Sequence, residues 1–172
     1  MAIHGVFEST NMHSTRYGCV DALVEAPIDN GNVGYVEGGK FKAFTAELIG
    51  KKQVVVLDQP AWNYEECSIV NQRKDAFQIE AGVIARARNM YLNDKFGLNA
   101  AAIEGTPVVG KYLVLAAGST KLVVADSIEG AAFACEIVEE RTNGMTLVTE
   151  AHTYGYAYPM YIAKVVVNNV AA

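Results

Sequence analysis

The side chains that most often carry chemistry are few in this chain, beginning with the histidines. His4, His13 and His152 are the three histidines, and none has a second ligand at the spacing of an HxxxH or HExxH motif. The sequence therefore predicts no metal site.

The three cysteines, Cys19, Cys67 and Cys135, are widely spaced and form no CxxC pair. This spacing predicts reduced thiols in β segments rather than a disulfide framework. Cys135 alternates with Phe133 and Ile137, which predicts a buried thiol rather than a partly exposed nucleophile.

Carboxylate pairs and phosphate-binding loops also give no catalytic pattern. Glu65-Glu66 and Glu139-Glu140 are adjacent residues, and neighbours in a strand point to opposite faces, so neither pair forms a matched acid and base. The stretch GYVEGGKF lacks the GxxxxGK[ST] spacing of a phosphate loop, and GxSxG is absent. We expect no catalytic residue and no cofactor; an enzyme that uses Cys67 or His152 is the alternative.

Composition limits the class of protein further. The chain has 172 residues, of which 51% are hydrophobic and 19% charged, and this balance is typical of an ordered domain. The net charge of −5 argues against a nucleic-acid partner. Neither a signal peptide nor an apolar run of about 20 residues is apparent, so we expect a soluble protein without a membrane partner.

Short apolar segments separated by turn residues predict a mainly β fold, a compact barrel or sandwich. The Val-rich stretch QVVVLD predicts a strand buried on both faces, and Gly118 to Thr120 predict a turn between two strands. Asn30-Gly31 and Asn143-Gly144 are typical of hairpin turns. A short helix is predicted at Asn99–Ala102. We expect an extended N-terminal arm, residues 1–16, followed by a single β-rich domain, residues 17–172.

The segment VIARARNMYL fits either a helix or a strand. Gly82 before it and Asn93-Asp94 after it shorten any helix, and the alternation of Ile84, Arg86 and Arg88 favours a strand. The two arginines then share one face, where we expect them to reach solvent or to meet a carboxylate.

Aromatic residues are the remaining candidates for function. Amphipathic rings concentrate at protein–protein contacts, because one end is apolar and the other forms hydrogen bonds. Four of the nine tyrosines fall in YGYAYPMY, and an ordinary half-buried strand is the alternative explanation for them. The candidate partner-binding residues are Phe7, Met12, Arg16, Trp62, Tyr64, Tyr154, Tyr156 and Tyr158.

The order of several of these stretches resembles that of head decoration proteins, also called capsid cement proteins, of tailed bacteriophages. The resemblance covers roughly Tyr17 to Glu140. The stretches that carry it are GNVGYVEGGK, QVVVLDQPAWNYEE, EAGVIARARNMYLNDKFGLNAAAIEG, VGKYLVLAAGSTKLVVAD and FACEIVEE.

The resemblance implies a non-enzymatic structural protein that is made in the host cytoplasm and located on the capsid surface of the virion. Its expected partner is the major capsid protein, whose subunit contacts it would brace. Self-association as a trimer or dimer is a further implication, and so is an N-terminal arm that reaches a neighbouring subunit.

Two other functions stay open from the sequence. The chain has features expected of another virion component, such as a tail, neck or fibre protein. It also has features of a β barrel that binds a small molecule or carbohydrate by stacking on Trp62, Tyr64 and the tyrosine run.

Overall fold

A computed structural model of the protein describes residues 3–13, 19–61, 74–148 and 153–169, and only the backbone of residues 145–148 and 153–156. The described residues form twelve strands and two single turns of 3₁₀-helix, which confirms the predicted mainly β fold. No helix among them is long and apolar enough to span a membrane.

Five strands close a small barrel in the order β2-β4-β3-β5-β6. Small alanines on neighbouring strands, Ala22, Ala85 and Ala87, are fully buried together with Leu57, so the interior of this narrow barrel is a packed core. The strands are β2 (Cys19–Leu23), β3 (Val33–Glu37), β4 (Lys40–Lys42), β5 (Val55–Leu57) and β6 (Ile84–Asn89).

Seven strands form a larger sheet in the order β1-β7-β12-β11-β9-β10-β8. Its two longest strands, β11 and β12, have 16 residues each and pair with one another along their full length. The strands are β1 (Phe7–Asn11), β7 (Lys95–Asn99), β8 (Ile103–Glu104), β9 (Tyr112–Val114), β10 (Leu122–Ala125), β11 (Phe133–Val148) and β12 (Thr153–Asn168).

One hydrophobic core joins the barrel to the sheet. It contains Tyr35 and Val56 from the barrel and Phe96, Leu113 and Phe133 from the sheet. All three residues of β5 are buried, because Val55 and Leu57 face the barrel interior while Val56 faces this shared core. The predicted two-sided burial of this strand is confirmed.

The segment Ile84–Asn89 is a strand, as the alternation predicts. The predicted short helix is a single 3₁₀ turn, Ala100–Ala102, which the side chain of Asn99 caps by accepting from the Ala102 N–H. Gly118 adopts a φ of 79° in the predicted turn between β9 and β10, which pair in antiparallel fashion.

Two turn predictions were wrong. Asn30-Gly31 forms a turn, but the strands on its two sides do not pair, since β2 pairs with β4 and β6. Gly144 lies inside β11 opposite Ala157, so Asn143-Gly144 is not a turn. The long ladder with β12 outweighs the local turn preference at this position.

Part of the N-terminal arm is a strand that the sequence pattern does not predict. Phe7–Asn11 forms β1 at the edge of the sheet and pairs with β7. Phe7 is buried and stacks on Phe96 with ring centroids 5.8 Å apart, which fixes this strand on the shared core. Residues 1–2 and 14–16 of the predicted arm lie outside the described residues.

Candidate protein-binding surface

The hairpin of β11 and β12 extends beyond its neighbours in the sheet. β9 pairs with β11 only at residues 134–136, and β7 pairs with β12 only at residues 160–164. We call residues 139–148 and 153–159 the distal ribbon. Among the described residues, no third strand pairs with it, and its ten-residue strand spans about 30 Å.

The distal ribbon is mostly exposed where its side chains are described, and most of its residues are uncharged. Six consecutive residues of β11, Glu139–Gly144, are exposed except for the half-buried Asn143. Beyond Arg141, neither strand of the ribbon contains a charged residue. An isolated two-stranded ribbon is marginally stable in water, so such a segment gains most from a partner that covers it.

The carboxylate of Glu8 on β1 fixes the base of this ribbon. It accepts hydrogen bonds from Lys74 Nζ at 2.8 Å, from Arg141 Nη2 at 3.0 Å and from Asn143 Nδ2 at 2.6 Å. These donors lie 66, 133 and 135 residues away in the chain, so no local sequence signal indicates the cluster.

Gly97, which has no side chain, leaves room for the neighbouring side chains on this face of the sheet. Gly97 on β7 lies opposite both Glu8 and Ile162. A Cβ atom at Gly97 would lie 3.0 Å from Met160 Cε and 3.2 Å from Ile162 Cδ1, so a side chain here would crowd both residues. The bare backbone at Gly97 lets the side chains above it pack closely.

Burial alone would raise the pKa of Glu8, but its partners act more strongly together. Hydrogen bonds from Lys74 and Asn143, with the positive charges of Lys74 and Arg141, hold the pKa of this carboxyl below its usual value. Glu8 is therefore ionised at neutral pH and connects β1 to the ribbon as an anion.

The structure places the two predicted N-terminal anchors within their own chain. Phe7 belongs to the shared core, and Met12 is partly buried against it. In this conformation the Phe7 ring is therefore not available to a partner. Arg16 lies outside the described residues.

The predicted aromatic anchors elsewhere are described only in part. Tyr154, Tyr156 and Tyr158 occupy alternate positions of β12, as predicted, opposite Leu147, Met145 and Asn143. Tyr158 is half-buried. Trp62 and Tyr64 lie outside the described residues. The tyrosine run thus contributes its backbone, and at least one half-buried ring, to the distal ribbon.

Arg86 and Arg88 do meet a carboxylate, which is one of the two outcomes that the sequence predicts for them. Arg86 Nη2 lies 2.9 Å from Asp58 Oδ2, and Arg88 Nε donates to the same oxygen. Arg86 Nε also donates to the Asp58 carbonyl at 2.8 Å. The arrangement connects β6 to the end of β5 and assigns both arginines a structural contact.

Two histidines in the described residues lie beside carboxylates. His4 Nδ1 is 2.9 Å from Asp29 Oδ1, and His13 Nδ1 is 2.6 Å from Asp94 Oδ1. No three His, Cys, Asp or Glu side chains among the described residues are placed to hold a metal ion. Burial, assisted by the negative charge of Asp94, raises the pKa of the Cys135 thiol well above its usual value. This thiol is therefore protonated and unreactive at neutral pH.

A surface pocket of about 180 Å³ lies between the barrel and β1. It is smaller than the roughly 300 Å³ at which small-molecule sites begin. The charged groups that line it, Asp58 and Lys74, already form ion pairs with Arg86 and Glu8. Its size and lining give little support to ligand binding at this position.

No protein family model, curated protein or solved structure matches the chain. Inferences about its function therefore depend on the architecture and on the surface described above.

Proposed function

We propose that the protein is a non-enzymatic structural component of a tailed-phage virion that binds the outer surface of the capsid and braces contacts between major capsid subunits. The observation that carries this proposal is the distal ribbon, a two-stranded segment that extends past its neighbours in the sheet. The sequence resemblance to decoration proteins supports the same role.

The ribbon has the chemistry of an interface rather than of a solvated loop. Its residues beyond Arg141 are uncharged, and Tyr154, Tyr156 and Tyr158 alternate along β12. Tyrosine is enriched in interface cores, and charged residues are depleted there.

Binding of this kind stabilises a lattice by mass action. A protein that binds the assembled capsid but not the free subunit shifts the equilibrium towards assembly. Many copies on one particle make a modest affinity per site effective. A compact body with one projecting segment suits this role, because the body stays outside while the ribbon makes the contact.

Co-sedimentation with expanded heads that lack the protein tests the proposal. The full chain is expected to bind saturably. In a short-ribbon variant, Asn-Gly replaces residues 145–156 and joins Gly144 to Ala157, which are paired in the ladder. We expect at least about tenfold weaker binding of this variant.

The control is Ile84→Ser, which changes an exposed apolar residue of the barrel at a distance from the ribbon in the chain. It is expected to bind heads as the wild type does. Failure of the full chain to bind expanded heads would reject capsid decoration, and cryo-electron microscopy of virions would then test a tail, neck or fibre location.

A further inference from the structure

Among the described residues, no strand pairs with the outer edge of β11 in the distal ribbon. From Glu139 to Val148 its register with β12 is regular, while its contacts with the other side of the sheet end at Ile137, which bonds to Gly110 and Lys111. Strand edges of this length template pairing with another strand unless the chain blocks them.

The direction of each backbone group in the ribbon follows from β12. Val165 donates its N–H to the Asp94 carbonyl and accepts from the Asn93 N–H, so its backbone groups point towards the β7 side. Groups alternate along a strand, and the register from Val165 to Thr153 is regular on β12, so Pro159 points the same way.

Thr142 lies directly opposite Pro159. Opposed residues in an antiparallel pair either both bond to each other or both point outwards, so the N–H and C=O of Thr142 face the free edge. The same follows for Thr146 and Val148, whereas Asn143 and Met145 bond to β12. Gly144 interrupts the edge, because it has a φ of 107° and its N–H donates to Asn143 Oδ1 at 2.9 Å.

The two edges of the ribbon differ in their capacity to pair. The outer edge of β12 lacks a donor at Pro159, and proline on an edge is a common block to pairing. The stretch Glu139–Val148 contains no proline. The free edge of β11 is therefore the edge that remains competent for pairing.

We propose that two copies of the chain associate through antiparallel pairing of this β11 edge, which makes one four-stranded ribbon from two hairpins. Antiparallel overlap matches the outward-facing residues of one copy with those of the other and places the Glu139-Glu140 pairs at opposite ends. A parallel alignment would set these carboxylates side by side, which is destabilising.

The charge distribution restricts where a second copy can dock. Each chain has a net charge of −5, so two bodies repel, whereas the ribbon beyond Arg141 is uncharged. The ribbon lets two copies meet while their acidic bodies stay apart. This association concerns the free protein and does not depend on capsid binding.

Sedimentation velocity of the full chain across the micromolar range tests the proposal with a matched pair of variants. The wild type and Thr142→Val, which keeps the N–H, are expected to form dimers with the same dissociation constant. Thr142→Pro removes the outward N–H in both copies and should raise that constant at least about tenfold.

Hydrogen exchange of the wild type provides a second measurement that needs no substitution. Amides of Thr142, Thr146 and Val148 should gain protection as concentration rises, while that of Asn143 should not change. A monomer at all concentrations, or equal association of both variants, would overturn the proposal. If the wild type were monomeric and still bound heads, the dimer proposal would be rejected and the capsid-decoration proposal would be supported.

Discussion

At the residue scale, one carboxylate holds three distant parts of the chain together. The side chain of Glu8 is only 18% exposed and accepts from Lys74, Arg141 and Asn143. An ionised acceptor with several donors is stronger than a single exposed ion pair. The orientation of the distal ribbon relative to β1 therefore depends on the charge of Glu8.

Replacing Glu8 with Gln should destabilise the protein in a pH-dependent way. Because its folded pKa is below the usual 4.5, the stability from Glu8 is present above that value and is lost as pH falls through the folded pKa. Since Lys74 and Arg141 are half-exposed, screening limits the loss at neutral pH to about 1 kcal/mol. Urea unfolding at neutral pH and across a series of acidic pH values measures it.

The control is Glu25→Gln, which removes a carboxylate that pairs with Lys40 in full solvent. The pKa of Glu25 is also lowered by the hydrogen bond from Lys40, but removing this exposed pair should change unfolding less than Glu8→Gln does at neutral pH. A Glu8→Gln deficit that did not shrink as the pH falls below 4.5 would contradict the assigned role, because the contribution of Glu8 is lost as the pH falls through its folded pKa.

Single residues were predictable from sequence where their cause is local. The alternation around Arg86 and Arg88 predicts a shared face and a carboxylate as one of two outcomes, but Asp58, 28 residues from Arg86, could not be named. The role of Glu8 could not be predicted from the sequence, because its partners lie more than 60 residues away in the chain.

At the element scale, the edge strand β1 is attached through Asn99. This side chain is buried, accepts from the Val6 and Ala102 N–H groups, and donates to the His4 carbonyl. One amide therefore joins β1 to the 3₁₀ turn that follows β7. Each of these bonds satisfies a backbone group that folding removes from water.

Asn99→Ala should loosen β1 and lower the free energy of unfolding by about 3 kcal/mol, because it leaves buried N–H groups without an acceptor. Chemical denaturation measures the loss, and hydrogen exchange at Val6 and Phe7 should show it first. Thr10→Ala, at an exposed position of the same strand, should change little. Equal effects of the two substitutions would reject this role of Asn99.

Element boundaries were predictable only where the turn chemistry and the long-range pairing agree. Asn93-Asp94 ends a segment as predicted, with Asn93 at a φ of 71° and the Asp94 carboxylate accepting from the Tyr91 N–H. Asn143-Gly144 is an equally typical turn sequence, but it lies within the 16-residue strand β11, and pairing with β12 determines its conformation. The distal ribbon exists because β7 and β9 stop pairing before β11 and β12 end. Such long-range pairing has no local sequence signal, so the ribbon was not predictable.

At the scale of the whole molecule, the barrel and the large sheet share one core rather than packing as separate units. Phe44, which follows β4, is fully buried in this core and lies 5.3 Å from the ring of Tyr35 on β3. The same cluster includes Phe96 and Leu113 from the sheet. We therefore expect the two parts to unfold together.

Phe44→Ala tests this cooperativity. Removing a fully buried ring should cost about 3 to 5 kcal/mol, since a cavity adds to the lost burial. If the core is shared, amides of Val56 in the barrel and Leu113 in the sheet should lose equal protection from hydrogen exchange. Ile84→Ala, at an exposed position, should alter neither amide. Loss of protection confined to Val56 would show that the barrel opens independently of the sheet.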